Sequence, residues 1–407
     1  TLAATAMVNH TPITPLVAGR TAALDNAITG TILSNAEFGI EMRPVAAGEG
    51  ANAFDPTHIV SGLFHDARRR TNLILRETTG NETTVRIRLF DRLGDPIARE
   101  GAPVDFELKV PALGSLQIND AELFPPEPLE GSVRAEVEFR QGVIDGFGRN
   151  RGAVVPFATV IDSGTQDASL RVGVSTRALS PLAQDSLPAQ RALATGLPWE
   201  GVPEPLLFPA VHATGAALAS GVSPRWRTRV TLANVNQTEP RTVRLRFVDE
   251  SGNLPGGTSA TATVLVPQKW TLTLNDVLEG SFLVPASANV WGSVVVDAVR
   301  QQGSDAWEYT WADVDVQTES YTADTDDPTR GEFRTGMEGY SYRHGYSSFQ
   351  SNLGTVLIDG AEISTRYRTN LILHEVGGAP CTVTVALYQP GALVPIAMTN
   401  VSLAKGA

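Results

Sequence analysis

Three stretches of this chain alternate apolar and polar residues with period two, and they share a phrase. Residues 68–77 read RRRTNLILRE, 366–375 read RYRTNLILHE and 227–232 read RTRVTL. A turn follows each (TTGNET at 78–83, NVNQTE at 234–239, VGGAP at 376–380). A second alternating run comes next: VRIRLFD at 85–91, VRLRFVD at 243–249 and VTVALYQ at 383–389. Alternation at this period puts successive side chains on opposite faces of a strand. The inward sets are then Thr71, Leu73 and Leu75 with Val85, Ile87 and Leu89 in the first copy. Val230 and Leu232 with Val243, Leu245 and Phe247 form the second, and Leu371 and Leu373 with Val383, Val385 and Leu387 the third.

Further landmarks recur in order in the first two copies. VDFELKVP at 104–111 parallels TATVLVP at 261–267, LQIND at 116–120 parallels LTLND at 272–276, and GSV recurs at 131–133 and 292–294. A last strand, VVPFATVID at 154–162, is matched to YTWADVDVQ at 309–317. Only AELF at 121–124 and DVLEGSF at 276–282 suit a helical turn. Short strands with one buried face and little helical periodicity predict an all-β chain of tandem Ig-like antiparallel β-sandwich domains. The third is incomplete within this chain, because its run ends at MTNVSLAKGA, level with the third strand of the others.

The expected organisation is an N-terminal segment 1–57, a first sandwich 58–174, a Pro/Ala-rich linker 175–208, a second sandwich 209–321, a polar junction 322–336 and a partial third sandwich 337–407. The ordered phrases R-T-N/R, V-x-hydrophobic-x-hydrophobic-F and L-x-hydrophobic-N-D resemble Ig-like repeat modules of bacterial secreted and cell-surface proteins. That resemblance covers roughly 58–165, 210–320 and 350–407 and implies an extracellular, non-catalytic role. Half a sandwich exposes an apolar face and open edges. Residues 1–57, with pieces such as TAMV, TPLVA and GTILS, are the natural donors if another copy completes the third domain by strand complementation.

Composition narrows the classes. A chain with 42% hydrophobic and 19% charged residues is a folded one, and a formal charge of −12 argues against a general nucleic-acid binder. The single cysteine, Cys381, rules out an internal disulfide framework or a cysteine-based zinc site. No apolar run is long enough to span a membrane. The opening TLAATAMV has neither a charged leader nor an initiator methionine, which fits a processed, exported chain.

Candidate chemistry is sparse. The common nucleophile, zinc-protease, P-loop and dinucleotide motifs do not occur, and the six histidines are scattered, so no enzyme is expected. Asp324, Asp326 and Asp327, with Glu332 beyond, are the calcium candidates, against a solvated acidic loop. Tyr340, Tyr342, Arg343, Tyr346 and Phe349 suit strand packing, a subunit interface or a glycan platform. Asp313 and Asp315 share one exposed face as solubilising charges. Arg70, Arg76, Arg86 and Arg88 share the outer face of the first pair of strands, as do Arg227, Arg229, Arg244 and Arg246 in copy two. The third copy carries Thr384 and Ala386 in place of the second-strand arginines, with an apolar Ile372 beside Ala386. Three readings of these faces stay open: solvated charge, contact with an acidic neighbouring subunit, or an acidic glycan site. The expectation is a structural subunit of a surface filament, appendage or coat that associates with itself. An adhesin or carbohydrate-binding surface protein is the alternative.

Overall fold

The computed structural model of the chain describes residues 50–176, 206–215, 224–250, 254–301, 313–323, 332–337, 380–387 and 394–403, together with Leu373 and three outlying strands. Almost all of it is β structure in antiparallel sheets, and no helix among the described residues is long and apolar enough to cross a membrane. Strands β1 (Gly19–Leu24) and β2 (Glu37–Met42) pair with each other.

The first unit opens with β3 (Ala51–Asn52), β4 (Thr57–Leu63), β5 (Arg69–Glu77) and β6 (Thr83–Phe90). After β7 (Ala98–Arg99) and β8 (Ala102–Pro103) come β9 (Asp105–Val110), β10 (Ser115–Ile118) and the single helical turn α1 (Asp120–Leu123). β11 (Val133–Gln141), the short hairpin β12 (Val143–Ile144) with β13 (Asn150–Arg151), β14 (Ala153–Asp162), β15 (Ala168–Val172) and β16 (Val174–Ser175) complete it. One sheet runs β10-β5-β14-β15, with β3 on β14, and the facing sheet runs β16-β4-β11-β6-β9.

The second unit comprises β17 (Leu206–Thr214), β18 (Arg225–Asn234), β19 (Arg241–Asp249), β20 (Thr261–Val266), β21 (Thr271–Leu274), α2 (Val277–Gly280), β22 (Val290–Gln301), β23 (Val314–Ala323), β24 (Phe333–Met337) and β25 (Tyr340–Ser341). Its strands form one nine-stranded sheet in the order β20-β19-β22-β17-β18-β23-β24, with β21 on β18 and β25 on β17. The runs β21-β18-β23-β24 and β20-β19-β22-β17-β25 repeat the order of the first unit's two sheets, but here β17 also pairs with β18 at Ala213–Thr214 and joins the runs, and β3 has no counterpart among the described residues. β26 (Cys381–Leu387) and β27 (Ala397–Leu403) form a separate ribbon.

Burial follows the alternation. Thr71, Leu73, Leu75 and Glu77 of β5 are buried while the residues between them are half-exposed, and β6 does the same with Thr83, Val85, Ile87 and Leu89. The two strands nevertheless do not pair. They lie in opposite sheets and close on one core, where Leu73 and Leu75 join Val85, Ile87 and Leu89. The expectation that Arg70, Arg76, Arg86 and Arg88 share a face is therefore corrected: the first two belong to one outer face and the last two to the other. Arg227 and Arg229 of β18 are likewise apart from Arg244 and Arg246 of β19, because β22 and β17 lie between the two strands.

A second correction concerns the last strand. Thr71 is opposite Val160, and Thr228 is opposite Ser320. Position 160 thus corresponds to 320, not 315, so the match of 154–162 to 309–317 was five residues out of register. An odd slip exchanges the two faces of a strand.

Strand ends are fastened by buried polar side chains. The Glu77 carboxylate accepts the backbone N–H of Thr79 (2.8 Å), Gly80 (2.8 Å) and Leu113 (2.9 Å). Burial raises its pKa, but a hydrogen bond from the Thr79 hydroxyl and these backbone bonds outweigh burial and leave the carboxyl below its usual range. Asn234 stands at the same place in β18, donating to the carbonyls of Glu239 (3.0 Å) and Val266 (3.1 Å).

Candidate functional site

Two polar constellations repeat or converge in this fold. The first is a corner. The Thr71 hydroxyl donates to the Phe64 carbonyl (2.7 Å) and accepts its N–H (3.0 Å), while Asp120 takes the Thr71 N–H (2.7 Å) and meets His65 Nδ1 (2.8 Å). In the second unit Thr228 clamps Val211 in the same way (3.1 and 2.7 Å), and Asp276 meets His212 Nδ1 (3.3 Å) and Arg227 Nε (2.8 Å). The Asn-Asp landmark of both repeats is thus the acid of a Thr–His–Asp fastening.

Glu279 lies close enough to His212 and Asp276 for the three to offer ligand atoms to one ion. Yet Asp276 already has an arginine partner, and the first unit builds the same pair without a third acid. The geometry suits a corner fastening better than a metal site.

The second constellation is the joint between the units. It forms where the first unit turns from β14 into β15, and where β18, β23 and β24 of the second unit present their outer face. Glu319 of β23 is at its centre, 1% exposed. Its carboxylate is held by Arg171 Nη2 (2.5 Å) and Ser169 Oγ (3.2 Å) from the first unit and by Arg229 from its own. Arg229 also reaches Glu332 (3.2 Å) and Asn275 (2.7 Å), and lies 4.1 Å over the Tyr321 ring. Arg334 of β24 crosses to Asp162 (3.1 Å), and its backbone N–H donates to Asp167. The Ser61 hydroxyl donates to Asp315, and Thr273 Oγ1 to Ser132 Oγ (2.9 Å). The Thr271 N–H donates to the Arg92 carbonyl (2.9 Å), and the buried Arg134 to that of Lys269.

Glycine permits the close approach. A Cβ on Gly336 would stand 2.6 Å from the Leu170 carbonyl oxygen, and one on Gly94 would stand 2.4 Å from Lys269 Cβ.

Charge in the joint is uneven. Arg171, Arg229 and Arg334 face Asp162, Asp167, Asp315, Glu319 and Glu332, while Arg69 is matched by Asp66 (2.7 Å) and Arg134 by Glu136 (3.6 Å). Carboxylates exceed guanidiniums by two. Burial pushes Asp167 and Asp315 up to about 6, so the two surplus acids are those that hold their protons most readily. Burial opposes ionisation of Glu319 as well, but Arg171, Arg229 and Arg334 overcome it and keep that carboxyl well below the usual range.

These placements overturn parts of the sequence expectation. Asp315 is buried in the joint, and Asp313 pairs with Arg241, so neither is a solubilising charge. Arg227 and Arg229 are buried as well. Glu332, read as a possible calcium neighbour, is an ion-pair partner of Arg229 and Arg334.

Arg86 pairs with Asp105 and Glu138, and Arg88 with Glu136 (3.1 Å) and Glu138 (3.7 Å). Arg244 and Arg246 are half-buried on β19, with Thr263 and Thr261 across from them on β20. Tyr340 lies in β25 opposite Leu207, and Ala386 in β26 opposite Met398. Asp324, Asp326, Asp327, Tyr342, Arg343, Tyr346, Phe349 and Ile372 lie outside the described residues. Asp162, Asp167, Arg171, Glu319 and Arg334 were not anticipated. The available signal was the run Asp-x-Asp-x-Gln-x-Glu-x-Tyr along 313–321, denser in charge than a strand face usually is.

No family model matches the chain, and no curated protein does. A solved structure, the crystal structure of Thermotoga maritima 1070, is similar to 31% of this chain over 96% of its own length, at 16% identity and a TM-score of 0.22. A likeness at that score carries no argument about fold or function.

Proposed function

We propose that this chain is a non-catalytic structural protein of the cell surface or extracellular space, whose β units form a stiff spacer in a larger assembly. The observation that carries this reading is Glu319, buried between Arg171 of one unit and Arg229 of the other. Burying charges costs several kcal/mol per ion unless every partner is in place. Such a joint tolerates little play, because a small displacement strips Glu319 of its partners while leaving it out of water. Flexibly tethered domains have no use for that arrangement; a spacer that must hold its angle does. Two units with one pairing order and the sequence resemblance to bacterial surface modules support the same reading.

The test is a distance measurement across the joint by double electron–electron resonance, with spin labels on exposed positions of β9 and β20. A single narrow distance is expected. A broad distribution would remove the basis for the reading. Immunogold labelling of intact source cells addresses location, and label confined to the cell interior would contradict it.

A further inference from the structure

The first unit has two ends of opposite character. One is the charged joint. At the other, β14 begins opposite β3, β5 finishes on Glu77, and β11 runs into the β12–β13 hairpin. All the exposed large apolar side chains of the first unit's described residues are at this far end. Phe54 (79% exposed) is on the turn between β3 and β4, Leu113 on the turn before β10, and Val143, Ile144 and Phe147 (84% exposed) on the hairpin. The hairpin stretch 140–151 carries Arg140, Arg149 and Arg151 against Asp145, a formal +3 − 1 = +2 in a chain of −12. Arg149 lies 4.9 Å over the Phe147 ring.

The other concentration of exposed apolar residues is at one end of the β26–β27 ribbon: Val394 and Ile396 just before β27, and Met398 within it. Residues 376–404 contain no Asp, Glu, Lys or Arg at all. Among the described residues β26 and β27 pair only with each other, and a two-stranded ribbon is marginal in water without something packed against it.

Copies of a chain at −12 repel one another unless they meet through faces that carry no charge or the opposite charge. The far end and the ribbon are two such faces, and both are apolar. We infer that the far end of the first unit docks onto the β26–β27 face of a second copy, head to tail. The contact rests on the reading of the chain as an assembly subunit and gives it a direction. Its two faces differ, so each docking leaves one of each unused and the assembly stays open-ended.

Cys381 is the only cysteine, so with Cys381→Ser an introduced pair reports the contact alone. Ile144→Cys/Cys381→Ser chain is mixed with Met398→Cys/Cys381→Ser chain under mild oxidant, with Phe147→Cys/Cys381→Ser as a second reporter of the far end. Mixed disulfide dimers are expected in the mixture and none in either chain alone. Phe147→Asp, at an exposed tip that the fold does not need, should abolish oligomers in sedimentation while leaving the melting curve of the monomer unchanged.

Homodimers without mixed dimers, oligomers in which neither reporter cross-links to Met398→Cys, or a chain monomeric at every concentration reached would each overturn the inference. So would a monomer that binds phosphatidylglycerol vesicles through Phe147. The distance across the joint, measured in monomeric Phe147→Asp chain, tests the stiff-spacer reading separately.

Discussion

At the scale of single residues, the joint behaves as a set of coupled ionisations. Asp167 and Asp315 have pKa values raised from 3.8 to about 6. A carboxyl raised on folding favours the folded state below its unfolded pKa, and that contribution is lost as pH rises through the folded value. The joint should therefore be firmest near pH 4 and loosen between pH 4 and pH 6 or so. Calorimetry should show the melting temperature falling over that interval, with a shallower slope in Asp315→Asn. Glu319 works in the opposite sense: its contribution is complete above the ordinary carboxylate range and drains away progressively as pH falls below it. Arg171→Met removes one partner of a buried pair, which costs about 3–5 kcal/mol. Urea unfolding should register it as the two units separating into distinct transitions. Glu77→Ala removes the acceptor of three part-buried turn N–H groups, each bond contributing about 0.5–1.5 kcal/mol net; loss of hydrogen-exchange protection in the 78–82 and 111–114 turns checks it.

At the scale of elements, alternation told which face of a strand points inward and nothing about what covers the other face. Leu73, Leu75, Val85, Ile87 and Leu89 were legible for that reason, as were the two helical turns. Glu319 and Asp315 were not, because an acid facing out of a sheet looks the same in sequence whether water or a neighbouring unit lies beyond it. The pairing of β5 with β6 was misread because hairpin-like spacing does not reveal a crossing between sheets. The five-residue slip in the last strand followed from matching landmarks instead of cross-strand partners. Close approach was equally hidden: Gly336 is one glycine among 37 until Leu170 is seen against it. Gly336→Val should wedge β24 off β15 and broaden the distance distribution across the joint while each unit keeps its strand content by circular dichroism.

At the scale of the whole molecule, net charge sets how copies meet. Raising salt shortens the Debye length from about 10 Å at 0.1 M to about 3 Å at 1 M. Repulsion between copies fades while apolar contact does not, so sedimentation should show larger assemblies at high salt, with the joint distance unchanged. The composition of the joint also bears on how the chain survives mishap. Two units sealed by a greasy seam would, on parting, offer each other's neighbours a sticky surface. Here parting would uncover Arg171, Glu319, Arg334 and Asp162, groups that water welcomes. A molecule sprung open by force or heat would remain in solution, able to close again, instead of being lost to precipitation.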